Sequence, residues 1–306
     1  MTKPKHWFVI INAAAGNGSC GKKWQEIQKL LILYNFNFEF VFTQYANHSV
    51  ELVHQAIEKG FLNLISVGGD GTLHNIINGI MTQNKVPSNT INVGVIPVGT
   101  GNDWVRTYGI SKNVAKAIQT IIKGETKLQD IGKIEFLDEK KPVVYFNNLA
   151  GVGFDGYVVS KVQKYKRFGA LSYLVGTLIG LSSFKNFQSQ VTLNSEIRRS
   201  KSLMILVGLC HFSGGGMQLT KSPNSFDGLF DVSIAKDFKT LDIIKNITKL
   251  FNGRIVNFKK VETYKTHLMK VEIDENNLPY IQADGELIGR GGFAATLIPE
   301  AFSFYS

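Results

Sequence analysis

The sequence predicts two domains of different class: a doubly wound α/β domain over residues 1–129, and a mainly antiparallel β-sandwich over 130–292. Residues 293–306 are expected to return as a strand that closes the structure. Three observations carry this reading. Up to residue 129, short apolar runs alternate with segments whose apolar residues recur at helical spacing, the pattern of a parallel sheet with crossover helices. From about Asp130 extended stretches dominate. Three polar, glycine-bearing turns follow apolar runs in the first part, after Ile11, Val67 and Ile96, where an open parallel sheet binds its ligands.

Trp7–Ile11 is the first strand, and Asn12-Ala-Ala-Ala-Gly16-Asn-Gly18 the small-residue turn after it. Trp24, Ile27, Leu31 and Tyr34 fall on one face of a helix, and Asn37–Thr43 alternates as a strand. Val50, Val53 and Ile57 mark a second helix. Leu62–Val67 is the next buried strand, followed by Gly68-Gly-Asp-Gly-Thr72 and a helix carrying Leu73, Ile76, Ile77 and Ile80. Ile91–Ile96 is a fourth strand. Ser111 is expected to cap a helix carrying Val114, Ile118, Ile121 and Ile122, and Gly124 to end it. In the second domain the extended stretches are 131–137, 142–149, 189–197, 202–211, 230–235, 263–273 and 279–283. The helix over Leu241–Phe251 is expected to bury Leu241, Ile244, Ile247 and Phe251 and to expose Lys245 and Lys249.

Strand, glycine turn and helix N-terminus in that order suit a phosphate: the backbone approaches the anion and free N–H groups point at it. There is no G-x-x-x-x-G-K-[ST], so the chemistry is not that of a P-loop. Asp70 is expected to meet Mg–ATP, directly or through water, while Thr72 and Thr100 offer hydroxyls to phosphate oxygens. The third turn, Pro97-Val-Gly-Thr-Gly-Asn-Asp103, adds Asn102, Asp103 and, three residues on, Arg106.

Gly68-Gly-Asp-Gly-Thr72 together with Pro97-x-Gly-Thr-x-Asn-Asp103 resembles the bacterial diacylglycerol kinase family of soluble lipid kinases, related to sphingosine and ceramide kinases and more distantly to NAD kinases. The resemblance implies ATP binding at Asn12, Ala13, Ala14, Ala15, Gly16, Thr43, Gly68, Gly69, Asp70, Gly71, Thr72, Thr100, Asn102 and Asp103. It implies a structural Mg²⁺ held by the Asp227 carboxylate and the carbonyls of Asn224 and Leu229, oxygen ligands that suit a hard cation. It also implies that Glu286, in Asp284-Gly-Glu286, is the general base that takes a proton from a lipid hydroxyl, and that Asp130 joins a water network around the metal. Two departures stand out. Ala13 replaces the proline usual in the first turn, and His74-Asn75 replaces Asn-Glu after Gly-Gly-Asp-Gly-Thr-Leu, which removes a carboxylate near the phosphates.

The expected function is transfer of the γ-phosphoryl of ATP to a lipid hydroxyl, with diacylglycerol the first candidate. An NAD kinase-like enzyme is the alternative within enzymes, disfavoured by the Pro-x-Gly-Thr-x-Asn-Asp turn. A regulatory nucleotide-binding protein without turnover is the alternative outside them, and His74-Asn75 favours it. The net charge of +10 suits anionic partners, but no basic–aromatic module points to nucleic acid. Tyr157–Phe187 has five basic and no acidic residues around an apolar centre, and is the expected membrane-facing segment of a cytoplasmic, peripherally membrane-associated protein. A homodimer is left open. Gly151-Val-Gly-Phe-Asp-Gly156 matches G-x-G-x-x-G, but the acidic residue a dinucleotide site needs about 20 positions on is missing. Cys20 and Cys210 fit no metal or redox spacing, the six histidines show no ligand pairing, and no G-x-S-x-G supports a hydrolase.

Overall fold

The computed structural model describes residues 5–137, 140–162, 184–274 and 278–306. The chain divides into two units, Met1–Gln129 with Glu300–Ser306, and Asp130–Pro299.

The first unit contains a parallel sheet of β1 (His6–Ile11), β2 (Asn37–Phe42), β3 (Asn63–Gly68) and β4 (Asn92–Pro97). Their order is β2-β1-β3-β4, all parallel, and Ser303–Phe304 at the chain end pairs in parallel with Asn92–Val93. β1, β3 and β4 are buried on both faces, so their side chains read as continuous apolar runs. One face receives α1 (Ser19–Leu33) through Trp24, Ile27 and Leu31, and α5 (Val114–Lys123) through Val114, Ile118 and Ile121. α2 (His48–Glu58) and α3 (Asp70–Thr82) pack on each other, and α3 buries Leu73, Ile76, Ile77 and Ile80. Ile122 is 48% exposed, because α5 buries its 114–118–121 stripe. One local expectation, the helix cap, is corrected. The helix is capped by Asn113, whose side chain accepts the Lys116 N–H at 3.1 Å, while Ser111 Oγ accepts the Asn113 N–H one step earlier. Gly124 does end the helix, in the left-handed region.

The second unit is mainly antiparallel. Its strands β7 (Leu149–Gly153), β8 (Phe187–Leu193), β9 (Glu196–Gly208), β10 (Phe230–Lys236), β11 (Val261–Thr266), β12 (Leu268–Ile273), β13 (Tyr280–Ala283) and β14 (Glu286–Arg290) all pair antiparallel where they meet. β5 (Thr126–Phe136) pairs with the short β6 (Val144–Phe146), and the final strand β15 (Phe293–Tyr305) pairs through Phe293–Thr296 with β12. The long β9 is the hub: residues 196–202 pair with β8, and 204–208 lie between β7 and β10. The stretch read as a single strand over 189–197 is a hairpin, turned at Asn194 and Ser195, both at positive φ. The stretch over 263–273 breaks at His267 into two strands.

Two helices lie against this sheet, α6 (Phe154–Val162) and α7 (Thr240–Phe251); α4 (Asp103–Thr107) belongs to the first unit. α7 corrects the sequence reading. It buries Ile243 and Asn246 and packs Leu250, whereas Leu241, Ile244 and Phe251 are 64, 49 and 46% exposed. Its sequence carries two apolar stripes, and periodicity does not say which one faces inward. Most of the basic–apolar segment, residues 163–183, lies outside the described residues.

Candidate functional site

The three polar turns of the first unit come together at the carboxyl ends of β1, β3 and β4. Asn12 Nδ2 donates to Thr72 Oγ1 at 3.1 Å, tying the first turn to the second. Thr43, just past β2, donates its N–H to the Ile11 carbonyl at 2.8 Å and so sits beside the first turn. The second and third turns touch backbone to backbone. A Cβ on Gly99 would lie 2.4 Å from Gly69 Cα, so only glycine permits this approach. Asn102 is buried in the left-handed region and donates from Nδ2 to the Gly99 carbonyl at 2.7 Å.

Asp70 supplies the charged link. Its Oδ2 accepts the Asp103 N–H at 3.1 Å and its Oδ1 accepts the Trp104 N–H at 3.2 Å. The carboxylate therefore caps α4 and fixes the third turn against the second. Sequence reading gave Asp70 to Mg–ATP; the structure gives both its oxygens to backbone N–H groups. A lysine that sequence reading missed sits at the same edge: Lys112 Nζ reaches the Gly101 carbonyl at 3.3 Å. Its only signal was its place nine residues past Asp103. His74 lies in the interior of α3, and its carbonyl accepts from Asn78 Nδ2 at 2.9 Å.

In the second unit Glu286 opens β14, directly after a tight turn in which Asp284 and Gly285 both have positive φ. Such a turn matches the twist of the flanking strands. The Asp284 carboxylate anchors it by accepting three N–H groups: Asn147 at 3.1 Å, Asn148 at 2.9 Å and Leu149 at 3.1 Å. Gln282 Oε1 accepts the Gly285 N–H at 2.9 Å from inside the hairpin.

Asp130 is buried and its Oδ2 accepts the Gly228 N–H at 2.9 Å, holding the turn that carries Asp227. Of the atoms expected to hold the structural Mg²⁺, the Asp227 carboxylate has other partners. Asp227 Oδ1 accepts the Leu229 N–H at 3.1 Å, and Oδ2 receives Lys265 Nζ at 2.7 Å. The same ammonium lies 3.2 Å from Asp231 Oδ2. Asn224 uses its side chain on the Phe226 N–H at 3.2 Å. In this structure the charge on the Asp227 carboxylate is balanced by the Lys265 ammonium. Among the described residues no group of three or more His, Cys, Asp and Glu side chains could hold a metal.

The second unit also contains an apolar cavity that sequence reading missed. Phe154, Val158, Leu206, Met217, Phe238 and Ile243 are among its walls, and Asp155 is the one charged lining group among the described residues. A more open recess sharing Phe154, Leu203, Phe238 and Ile243 with it is edged by Lys185, Lys201 and Lys239. Composition gave no warning, since these residues come from helices and strands spread over more than 100 positions.

Comparison with known proteins extends this picture. The family of the diacylglycerol kinase catalytic domain matches residues 6–134. The family described as the YegS C-terminal NAD kinase beta sandwich-like domain matches residues 148–306, more than half of the chain. YtlR of Bacillus subtilis strain 168, named as a lipid kinase, is 28% identical over 96% of this chain and 97% of its own. The diacylglycerol kinase of the same strain is 28% identical over 92% of this chain and 89% of its own. Two crystal structures from Bacillus anthracis strain Sterne, described as diacylglycerol kinases, share the fold at TM-scores of 0.81 and 0.74. Each is 21% identical; they cover 99 and 100% of this chain and 95 and 98% of their own.

Proposed function

This chain belongs to the bacterial diacylglycerol kinase family of lipid kinases, and from that premise we propose that it transfers the γ-phosphoryl group of Mg–ATP to the hydroxyl of a lipid such as diacylglycerol. ATP is taken at the turns of Asn12–Gly16, Gly68–Thr72 and Thr100–Asp103, beside Thr43, with Lys112 as an additional cation for the phosphates. Asp70 works by holding two of those turns in register. Glu286 takes the proton from the lipid hydroxyl as its oxygen bonds to the γ-phosphorus and the bond to ADP breaks. Mg²⁺ comes with the nucleotide and offsets charge on its phosphate oxygens.

The observation that most favours a lipid acceptor is the apolar cavity in the unit that also carries Glu286, with its recess edged by Lys185, Lys201 and Lys239. Apolar walls suit an acyl chain and the lysines suit an anionic headgroup layer. The exposed Leu241, Ile244 and Phe251 of α7 favour membrane contact on the same unit, and α7 also contributes Ile243 to the cavity wall. Among the described residues no helix is long and apolar enough to cross a membrane.

The test is phosphorylation by the purified chain of a panel of lipids in detergent micelles, with radiolabelled ATP and Mg²⁺. A labelled lipid product is expected, and Glu286→Gln should lose turnover while keeping ATP affinity. ATP binding without any labelled lipid would reject the kinase reading in favour of a nucleotide-binding regulator, and labelled NADP⁺ formed from NAD⁺ would favour the NAD kinase alternative.

A further inference from the structure

The segment Gly151-Val-Gly-Phe-Asp-Gly156 has the spacing of a nucleotide turn but binds no phosphate in the reading above. Its glycines serve a different purpose. A Cβ on Gly151 would lie 2.5 Å from Asp155 Oδ2, and one on Gly156 would lie 2.5 Å from the Tyr280 carbonyl. The missing side chains let α6 close against β13 and let the Asp155 carboxylate enter the space beside β7. Asp155 is only 4% exposed and stands in the wall of the apolar cavity.

An unpaired carboxylate in such a place is costly, and an amide or apolar residue would serve the fold better. What Asp155 does hold is Gln282: its Oδ2 accepts from Gln282 Nε2 at 2.9 Å, and its Oδ1 has no side-chain partner. Gln282 Oε1 in turn accepts the Gly285 N–H at 2.9 Å. The order of these bonds follows from ionisation. A carboxylate only accepts, so it draws the NH₂ end of Gln282 and leaves Oε1 for Gly285. A protonated acid can donate to Oε1, which would turn the NH₂ end toward a backbone N–H and leave Gly285 without an acceptor.

We propose that Asp155 is a positioning residue of the acceptor site: through Gln282 it holds the Gly285 N–H, and with it the turn that presents Glu286. That Glu286 is the base rests on the kinase reading; the relay from Asp155 to Gly285 does not. Asp284 anchors the same turn to residues 147–149, so the relay fixes its inner side. Burial pushes the Asp155 carboxyl up to about 6, against the opposing pull of Gln282 and of the Gly156 and Asp155 N–H groups. The ionisable groups on the strands packed against α6 are Tyr280 of β13, Glu286 and Arg290 of β14, and Glu196, Arg198, Arg199 and Lys201 in the half of β9 that pairs with β8. β7 carries none, α6 itself carries Tyr157 and Lys161, and the polar residues that line the cavity with Asp155 from β10 and α7, Ser233 and Asn246, carry no charge. No charge among them contributes to the Asp155 shift.

The experiment follows the backbone amide of Gly285 by NMR in the full chain labelled with ¹⁵N-glycine, from pH 5 to pH 8, without ligands. In the parent its resonance should move with a midpoint near 6, and in Asp155→Asn it should stay still, because asparagine keeps the bond to Gln282 without the titration. Gln282→Met, which cuts the relay and leaves Asp155 in place, should also abolish the movement and serves if Asp155→Asn does not fold. The same titration surviving in either variant would overturn the proposal. Kinase assays add a second readout: Asp155→Asn should lose the fall in kcat below pH 6, and Asp155→Ala should lose about tenfold in kcat with little change in KM for ATP. An unchanged acid limb in Asp155→Asn would also overturn it. An Asp155-dependent Gly285 titration in a protein that phosphorylates no lipid would uphold the relay and reject the kinase reading.

Discussion

Removing the Asp70 carboxylate separates two roles for this residue, organiser of the nucleotide turns or direct ligand. In the structure each carboxylate oxygen takes one backbone N–H of α4, at 3.1 and 3.2 Å. A hydrogen bond to a charged group contributes about 1.5–3 kcal/mol, and the half-buried position lets water replace part of it. Asp70→Ala should therefore cost about 2–3 kcal/mol, and Asp70→Asn, which keeps one acceptor, about half of that. For a unit of this size that is a fall in Tm of roughly 4–10 °C. ATP affinity should fall in parallel, by about tenfold for the alanine variant, because the second and third turns lose their register. Gly99→Ala perturbs the same junction without touching charge: its Cβ would sit 2.4 Å from Gly69 Cα and 2.7 Å from Asn102 Oδ1. It should produce the same coupled loss. Thermal melts and calorimetric titration with ATP read both quantities. Loss of ATP binding at undiminished stability in Asp70→Asn would refute the organiser role and return Asp70 to the nucleotide.

Three other outcomes are expected. The folded-state pKa of Asp155 lies above its ordinary value of 3.8, at about 6, so the folded protein holds the proton more tightly and stability falls as pH rises from about 4 to 6. Asp155→Asn should thus exceed the parent in stability by up to about 3 kcal/mol above pH 6, with the gap closed below pH 4 in denaturant titrations; a gap independent of pH would contradict the assignment. Lys265→Met should leave Asp227 and Asp231 without their cation, so that millimolar Mg²⁺ raises its Tm in the absence of ATP while leaving the parent unmoved; a Mg²⁺-dependent Tm in the parent that Asp227→Ala abolishes would restore the metal site. Replacing Leu241, Ile244 and Phe251 together by asparagine should reduce flotation with vesicles containing anionic lipid, without lowering Tm, since all three are exposed; undiminished flotation would place membrane contact elsewhere.

Much of the fold was legible from local pattern. Strands buried on both faces read as unbroken apolar runs, so β1, β3 and β4 and the glycine turns after them could be named from residues 7–103 alone. Caps were less legible, because Ser111 and Asn113 are both good capping residues and two positions apart. α7 was misread because Leu241, Ile244, Ile247 and Phe251 recur as regularly as Ile243, Asn246 and Leu250. Only the sheet beneath it chooses between them.

The sequence by itself determined which residues gather at strand ends and which family they resemble, because turn chemistry and apolar period are written in neighbouring positions. The tertiary structure alone decided what those residues touch. Asp70 holds the α4 backbone because α4 starts within reach of its carboxylate. Asp227 met Lys265 because β10 and β11 pair in the register that sets Asp231 against Lys265. Asp155 reached the Glu286 turn because two glycines let a helix and a strand close on it. Charges and hydrogen bonds between residues 33, 38 and 127 positions apart depend on register and approach distance, and neither is a property of any local stretch of chain.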